Sequence, residues 1–278
     1  MIHIFTDSTS DLSLDIISEF GIKVVPLSVT IGGEVFQDGV NIHQKDLFAL
    51  VNKYGELPKT AAPSVGEFIK EFDIPGEIIF IGISSKLSGT ISNALLAAQT
   101  YQDEKVRVID SLNLSTGIGL LVLRAAGLRD QGLTALQIEE RIQQSVSNVR
   151  SSFVIDTMEY LYKGGRCTAL QAIAGSVLKI HPIIEVKQDG TLGVKEKARG
   201  TLQKGYQRML DDFRASIDDV DRERIFVTHT CQNEEDMRFL LDGVKQLAAM
   251  EDIRVTMAGS VIASHCGPNT AGILYFLK

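Results

Sequence analysis

Several common chemistries have no footing in this chain. Its three cysteines, Cys167, Cys231 and Cys266, are odd in number and form no CxxC pair, which argues against a disulfide framework. Neither His229 with Cys231 nor His265 with Cys266 has zinc-ligand spacing, and His3, His43 and His181 stand apart, so no metal is expected. Positive charge is not in excess: the net charge of −7 argues against nucleic acid, which needs a basic stripe. The most apolar stretch, residues 117–127, is interrupted by Arg124 and is too short to span a bilayer, so stable membrane insertion is not expected. The first residues, Met1-Ile2-His3-Ile4-Phe5-Thr6-Asp7, lack the basic and long apolar parts of a secretory signal. With the unpaired cysteines, this predicts a cytoplasmic protein. P-loop, nucleophile elbow, internal repeat and low-complexity segment are likewise missing.

What is present is a full globular composition. Of 278 residues, 44% are hydrophobic and 23% charged, enough for one large or two modest domains. The first half alternates short β-branched or apolar runs with helical stretches. Strands are predicted at 2–5, 23–29, 77–83 and 106–110, and helices at 45–54, 65–71, 89–101 and 114–131. A further helix follows Asp7-Ser8-Thr9-Ser10-Asp11, where a hydroxyl can cap it, and runs to about Phe20. The alternation predicts an α/β fold with a Rossmann-like, mainly parallel sheet covered by helices on both faces. Thr134-Ala135-Leu136-Gln137 has capping-box spacing and opens a helix ending near Val149, where a domain boundary is placed. The expected domains are therefore residues 1–149 and a mixed α/β domain at 150–278. In the second, 182–194 reads as a hairpin closed by Asp189-Gly190, followed by a helix at 202–217. A strand at 224–229, a helix at 234–250 and a closing strand at 254–258 come next, before a loop holding His265.

Four polar motifs, each beside a Gly or Pro, can bind an anion. They are Thr60 in Lys59-Thr60-Ala61-Ala62-Pro63-Ser64, the run 84–90 with Ser88 and Gly89, Arg166 after Gly164-Gly165, and His265 in His265-Cys266-Gly267-Pro268. Ser88 follows a core strand where a helix begins, the usual ligand position in an open α/β sheet, and the amides of Gly89 and Thr90 favour an anion there. The glycines before Arg166 can end a helix and aim a permanently charged fork suited to carboxylate or phosphate. Arg199, after the hairpin, is a second candidate. His265 can donate from either ring nitrogen once protonated. Each motif also has a plain structural use: a helix cap for Ser88, a surface ion pair for the arginines, an ordinary hydrogen bond for His265. Parts so scattered need the fold to assemble them, which predicts one pocket between two layers or domains. Its donors suit an anion better than a metal.

Taken together, the motifs resemble the DegV family, the fatty-acid-binding subunits of bacterial fatty acid kinase. The resemblance covers nearly the whole chain in family order: 7–11, Pro26-Leu27, Asp38-Gly39, Thr60 with Pro63-Ser64, 84–90, 108–111, 156–166, and His265 with Gly267-Pro268. It implies a two-domain α/β protein enclosing one long-chain fatty acid. The carboxylate would be held by Thr60, Ser88, Gly89 and His265, with Arg166 and Arg199 nearby in a supporting or phosphoryl-transfer role. A separate kinase subunit would make the acyl phosphate, so the resemblance implies no turnover by this chain alone and no cofactor besides the bound lipid. This chain departs from the family pattern at Ala61-Ala62 and at Asn269, a residue that tolerates a positive φ. Burying roughly sixteen carbons at ~0.8 kcal/mol each yields about 12 kcal/mol before costs. The competing class is an enzyme at the same pocket, a serine hydrolase (esterase) or a phosphotransferase.

Overall fold

The computed structural model describes residues 1–102, 105–169, 180–230 and 234–278. The first half runs β1 (Ile2–Asp7), α1 (Leu14–Phe20), β2 (Ile22–Val25), β3 (Ser28–Ile31), β4 (Glu34–Gln37), α2 (Gln44–Tyr54), β5 (Lys59–Ala61) and α3 (Val65–Phe72). It continues with β6 (Glu77–Gly82), α4 (Thr90–Ala98), β7 (Val106–Asp110), α5 (Thr116–Asp130) and α6 (Ala135–Val146). The second half holds β8 (Val149–Val154), α7 (Glu159–Lys163), β9 (Ile180–Val186), β10 (Leu192–Arg199) and α8 (Leu202–Ala215). After these come β11 (Val220–His229), α9 (Glu234–Leu247), β12 (Asp252–Met257), α10 (Ser260–Cys266) and β13 (Ala271–Leu277).

The sequence pattern explains the first sheet. Strands pair in parallel in the order β2-β1-β6-β7. β6 lies between two neighbours and is buried from Ile78 to Gly82, as its apolar run requires. The predicted strand 23–29 is two strands. Pro26 has no amide for a ladder, so the chain leaves the first sheet after Val25 and β3 starts a three-stranded antiparallel sheet, β4-β3-β5. Pairing of Val29 with Thr60 in that sheet fixes the position of Thr60. The helix expected after the 7–11 motif begins at Leu14, and the motif itself forms a 3-10 turn at residues 8–10 that Asp7, rather than a hydroxyl, caps by accepting from the Thr9 amide.

The second sheet is mixed, in the order β10-β9-β8-β13-β11-β12. Two elements differ from expectation. The strand at 252–257 is at the sheet edge and does not close the chain; β13 follows it and lies between β8 and β11. Residues 260–266, expected as loop, form the short helix α10. The predicted Asp189-Gly190 turn is present, with Gly190 at φ 81. The capping box is present too: Gln137 N–H donates to the Thr134 hydroxyl at 3.3 Å, and Thr134 N–H to the Gln137 side chain at 3.0 Å.

α5 joins the two sheets. It is apolar around its whole circumference and packs on β1, β6, β8, β11 and β13. The largest buried apolar cluster accordingly runs from Ile4 through Leu121 to Phe276, joining both halves of the chain. Its one interior charge, Arg124, pairs with Asp221 at 2.6 Å and stacks 3.7 Å from the Phe276 ring. No helix among the described residues is long and apolar enough to cross a membrane.

Candidate functional site

A cavity of about 100 Å³, or about 630 Å³ of space between its walls counting the mouth, lies where the first sheet, the small sheet and α10 meet. Thr60, Ser88, Gly89, Arg166 and His265 all line it, so four segments distant in sequence converge. Its remaining walls are mostly aliphatic, from Leu27, Ile83, Leu87, Leu114, Leu161 and Ile262. Polar donors beside aliphatic walls suit an amphiphile with an acidic head.

The Ser88 wall forms at the exit of β6. Asp7 Oδ2 accepts the Ile83 amide at 2.8 Å, and the Ser84 carbonyl accepts the amides of Leu87 and Ser88 at 2.9 and 3.1 Å, turning the chain into α4. The Ser84 hydroxyl donates to the Gly190 carbonyl at 2.8 Å, tying this turn to the β9–β10 hairpin. Ser88 Oγ accepts the Thr90 amide at 3.3 Å and lies 2.8 Å from Thr90 Oγ1, so from one position ahead of the Gly89 N-cap it satisfies the first amide of α4 and also lines the cavity. Gly89 has φ −75 and open space where a Cβ would stand, so the turn imposes no demand for glycine there.

On the opposite wall, His265 Nε2 lies 2.8 Å from Thr60 Oγ1. Burial pushes the imidazole pKa down to about 4, assisted by the Arg166 charge, so the ring is neutral near pH 7. Its Nδ1 is buried without a hydrogen-bond partner among the described residues. A neutral ring donates from one nitrogen; donation from both, open to it once protonated, requires a nearby anion that favours the charged form. Gly164 backs the ring closely, since a Cβ there would stand 2.6 Å from Nδ1. Asn269 takes φ 56, as expected of it, and its side chain donates to Asp156 at 3.1 Å.

Arg166 bridges the walls. Its Nη1 donates to the Gly164 carbonyl at 2.6 Å and its Nε to the Leu87 carbonyl at 3.4 Å, leaving an exposed guanidinium at the mouth. The preceding Gly165 has φ 71, a left-handed turn past the end of α7. Arg199 is elsewhere: it is exposed at the end of β10, opposite Ile180, and is not among the residues lining the cavity. Outside the mouth is a larger groove of about 870 Å³, which shares Thr60, Arg166 and His265 with the cavity and adds Lys59 and Lys163.

The geometry counts against a serine hydrolase. Ser88 pairs with Thr90 while His265 Nε2 pairs with Thr60, so the nucleophile–base hydrogen bond is not formed. Cys266 also lines the cavity, but burial pushes its thiol up to about 12, which leaves it a poor nucleophile. Among the described residues no group of three or more His, Cys, Asp or Glu could hold a metal. The sequence had not marked the aliphatic lining, because those side chains look like any other core; nor had it connected Asp7 to the Ser88 turn.

Comparison with known proteins agrees with this arrangement. The family profile described as "Uncharacterised protein, DegV family" matches residues 1–278. A DegV domain-containing protein of Caldanaerobacter subterraneus subsp. tengcongensis is 34% identical over 283 residues, covering 99% of this chain and 98% of its own. A solved DegV family protein from Thermus thermophilus, described as fatty acid binding, is 31% identical with a TM-score of 0.92, covering 100% of this chain and 99% of that one. The Streptococcus pneumoniae fatty acid kinase B3 protein, solved with linoleic acid, shares the fold at 24% identity and a TM-score of 0.88, each chain covered in full at 100%. A largely aliphatic cavity with polar donors in its lining, set in a fold shared over the full length, agrees with the profile match: the chain belongs to the DegV family.

Proposed function

We propose that this protein binds one long-chain fatty acid and presents its carboxylate to a separate kinase subunit, which makes the acyl phosphate. In this reading residues 1–149 and 150–278 are two domains, the pocket lies between them, the protein works in the cytoplasm, and it has no turnover alone. The carboxylate is taken by Thr60, Ser88, the Gly89 amide and His265, and the acyl chain lies against the aliphatic walls. The observation that carries the reading is that the cavity and the outer groove share Thr60, Arg166 and His265 in their linings. A carboxylate held there has its hydrocarbon inward and its oxygens toward a mouth edged with Lys59, Lys163 and Arg166. Hydrogen bonds from the head-group residues offset desolvation of the carboxylate, costly if left unpaired. Arg166 serves phosphoryl transfer more than retention of lipid, since its charge is exposed at the mouth, where negative charge would develop; Arg199 is assigned the more distant supporting role.

Organic extraction of the purified protein followed by mass spectrometry tests the first part. A stoichiometric fatty acid is expected, whereas an empty protein that turns over esters would favour the hydrolase. For the second part, Arg166→Ala is expected to keep its lipid and to fail as substrate of a cognate kinase subunit. Normal acyl phosphate formation by that variant would remove Arg166 from the role.

A further inference from the structure

Two buried carboxylates lie outside the head-group site, in motifs the fatty-acid reading leaves unused. Asp11 is 5% exposed and Asp38 is 3% exposed, in the turns that follow β1 and β4. Both reach the start of α10. Asp11 Oδ1 accepts the Gly259 amide at 2.8 Å, while its Oδ2 accepts the Ser115 hydroxyl at 2.6 Å. Asp38 Oδ1 accepts the Ser260 amide at 2.6 Å. Gly259 allows this close approach: a Cβ there would stand 3.0 Å from one Asp38 oxygen and 3.3 Å from Asp11 Oδ1. Burial raises the pKa of both carboxyls, which shows that enclosing them opposes ionisation.

We propose that Asp11 and Asp38 are positioning residues: by anchoring the first turn of α10 they set where His265, near its other end, meets Thr60. The inference rests on the fatty-acid reading only for its consequence in binding. α10 spans seven residues, of weak helix formers such as Ser, Val, Ile, His and Cys, so its direction is not secured by its own propensity. His265 lies five positions after Ser260, about 7.5 Å of helix at ~1.5 Å per residue. A tilt at the first turn is thus carried to the ring, whose hydrogen bonding among the described residues is the 2.8 Å contact with Thr60, with Gly164 close behind it.

The test follows the His265 ring by NMR alongside fatty acid affinity. In Asp38→Ala and Asp11→Ala the titration of His265 is expected to move from about 4 toward the ordinary 6.5, with affinity reduced about tenfold or more. Asp38→Asn keeps an oxygen for the Ser260 amide and is expected to stay within about twofold of wild type. Should Asp38→Ala fail to fold, Ser260→Pro removes the amide instead, at a first helical position that proline fits, after a Gly259 already extended at ψ 174. A core variant away from the site, Phe213→Leu, is expected to lower Tm without moving the His265 signal. Folded Asp38→Ala or Ser260→Pro with wild-type His265 titration and affinity would overturn the proposal, as would an equal His265 shift in Phe213→Leu. If the wild-type protein takes up no fatty acid, the ligand reading fails by itself, and the His265 titration still decides the anchor.

Discussion

Ser88 is itself bonded to neighbours in sequence, with distant Asp7 and Gly190 reaching only the residues before it, whereas the His265 wall is held directly by residues drawn from distant segments. Ser88 pairs with Thr90 two residues on and takes its turn from Ser84 four residues back. His265 meets Thr60 across 205 positions, and its helix begins on Asp38 and Asp11, 222 and 248 positions from the amides they hold. A local wall can lose one group and keep its shape. A wall assembled from remote parts loses its shape when any part is displaced, so the two should respond differently to equally small changes.

The largest effect is expected from adding one methyl behind His265. In Gly164→Ala the Cβ would stand 2.6 Å from His265 Nδ1 and 2.9 Å from the Tyr160 carbonyl, and the latter is backbone and cannot swing away. Overpacking should cost roughly 1–3 kcal/mol of stability, and fatty acid affinity should fall as the ring leaves Thr60. Unchanged denaturation and affinity would show that the remote wall is more compliant than its contacts suggest.

On the local wall, Ser88→Ala should weaken fatty acid binding by about 1.5–3 kcal/mol for the lost bond to a charged group, and folding by only about 1 for the cap. Calorimetric titration and urea denaturation separate the two numbers. Wild-type affinity would reduce Ser88 to its capping role and leave the cavity with donors on one wall.

Acid separates the walls by sign. His265, with its pKa pushed down to about 4, stabilises the fold above pH 6.5 and loses that contribution as pH falls toward 4. Asp7 behind the Ser88 turn is pushed up from 3.8 to about 6 by burial, so it stays protonated in the fold over much of the same interval and adds stability as pH falls. The two oppose each other between pH 4 and 6, where the buried carboxyls of Asp11 and Asp38, also raised, act in the same sense as Asp7. Asp7→Asn should shift the balance toward the acid loss due to His265, and His265→Asn should shift it the other way. Parallel stability curves for the two variants, measured by denaturation at several pH values, would mean that neither group titrates as described.

The smallest effect is expected at Arg199, exposed and away from the cavity lining. Arg199→Ala should change fatty acid affinity by no more than about twofold, as for other surface substitutions. A larger loss would extend the site beyond the two walls.

Local signals were readable wherever one short segment carried its own reason. The apolar run of β7 predicts Val106–Asp110 as found, the capping box starts α6 at Ala135, and Asp189-Gly190 closes its hairpin. Thr60, Ser88, Arg166 and His265 stood out because each is a polar group beside a Gly or Pro. The β-branched run 23–29 reads as one strand, although the missing amide of Pro26 sends the chain from one sheet to another. β13, uniformly apolar from Ala271 to Phe276, was passed over because periodicity cannot separate a buried strand from other core segments.

The sequence by itself determined the layered α/β architecture and the polar residue types that line the cavity, because both follow from interactions within a few residues. Only the tertiary structure decided that His265 rides on a helix, that its ring is neutral, and that Arg199 stays apart from the cavity. It also brought two buried aspartates to the start of that helix. Helix direction, desolvation and convergence depend on groups more than two hundred positions away, and no local pattern records them.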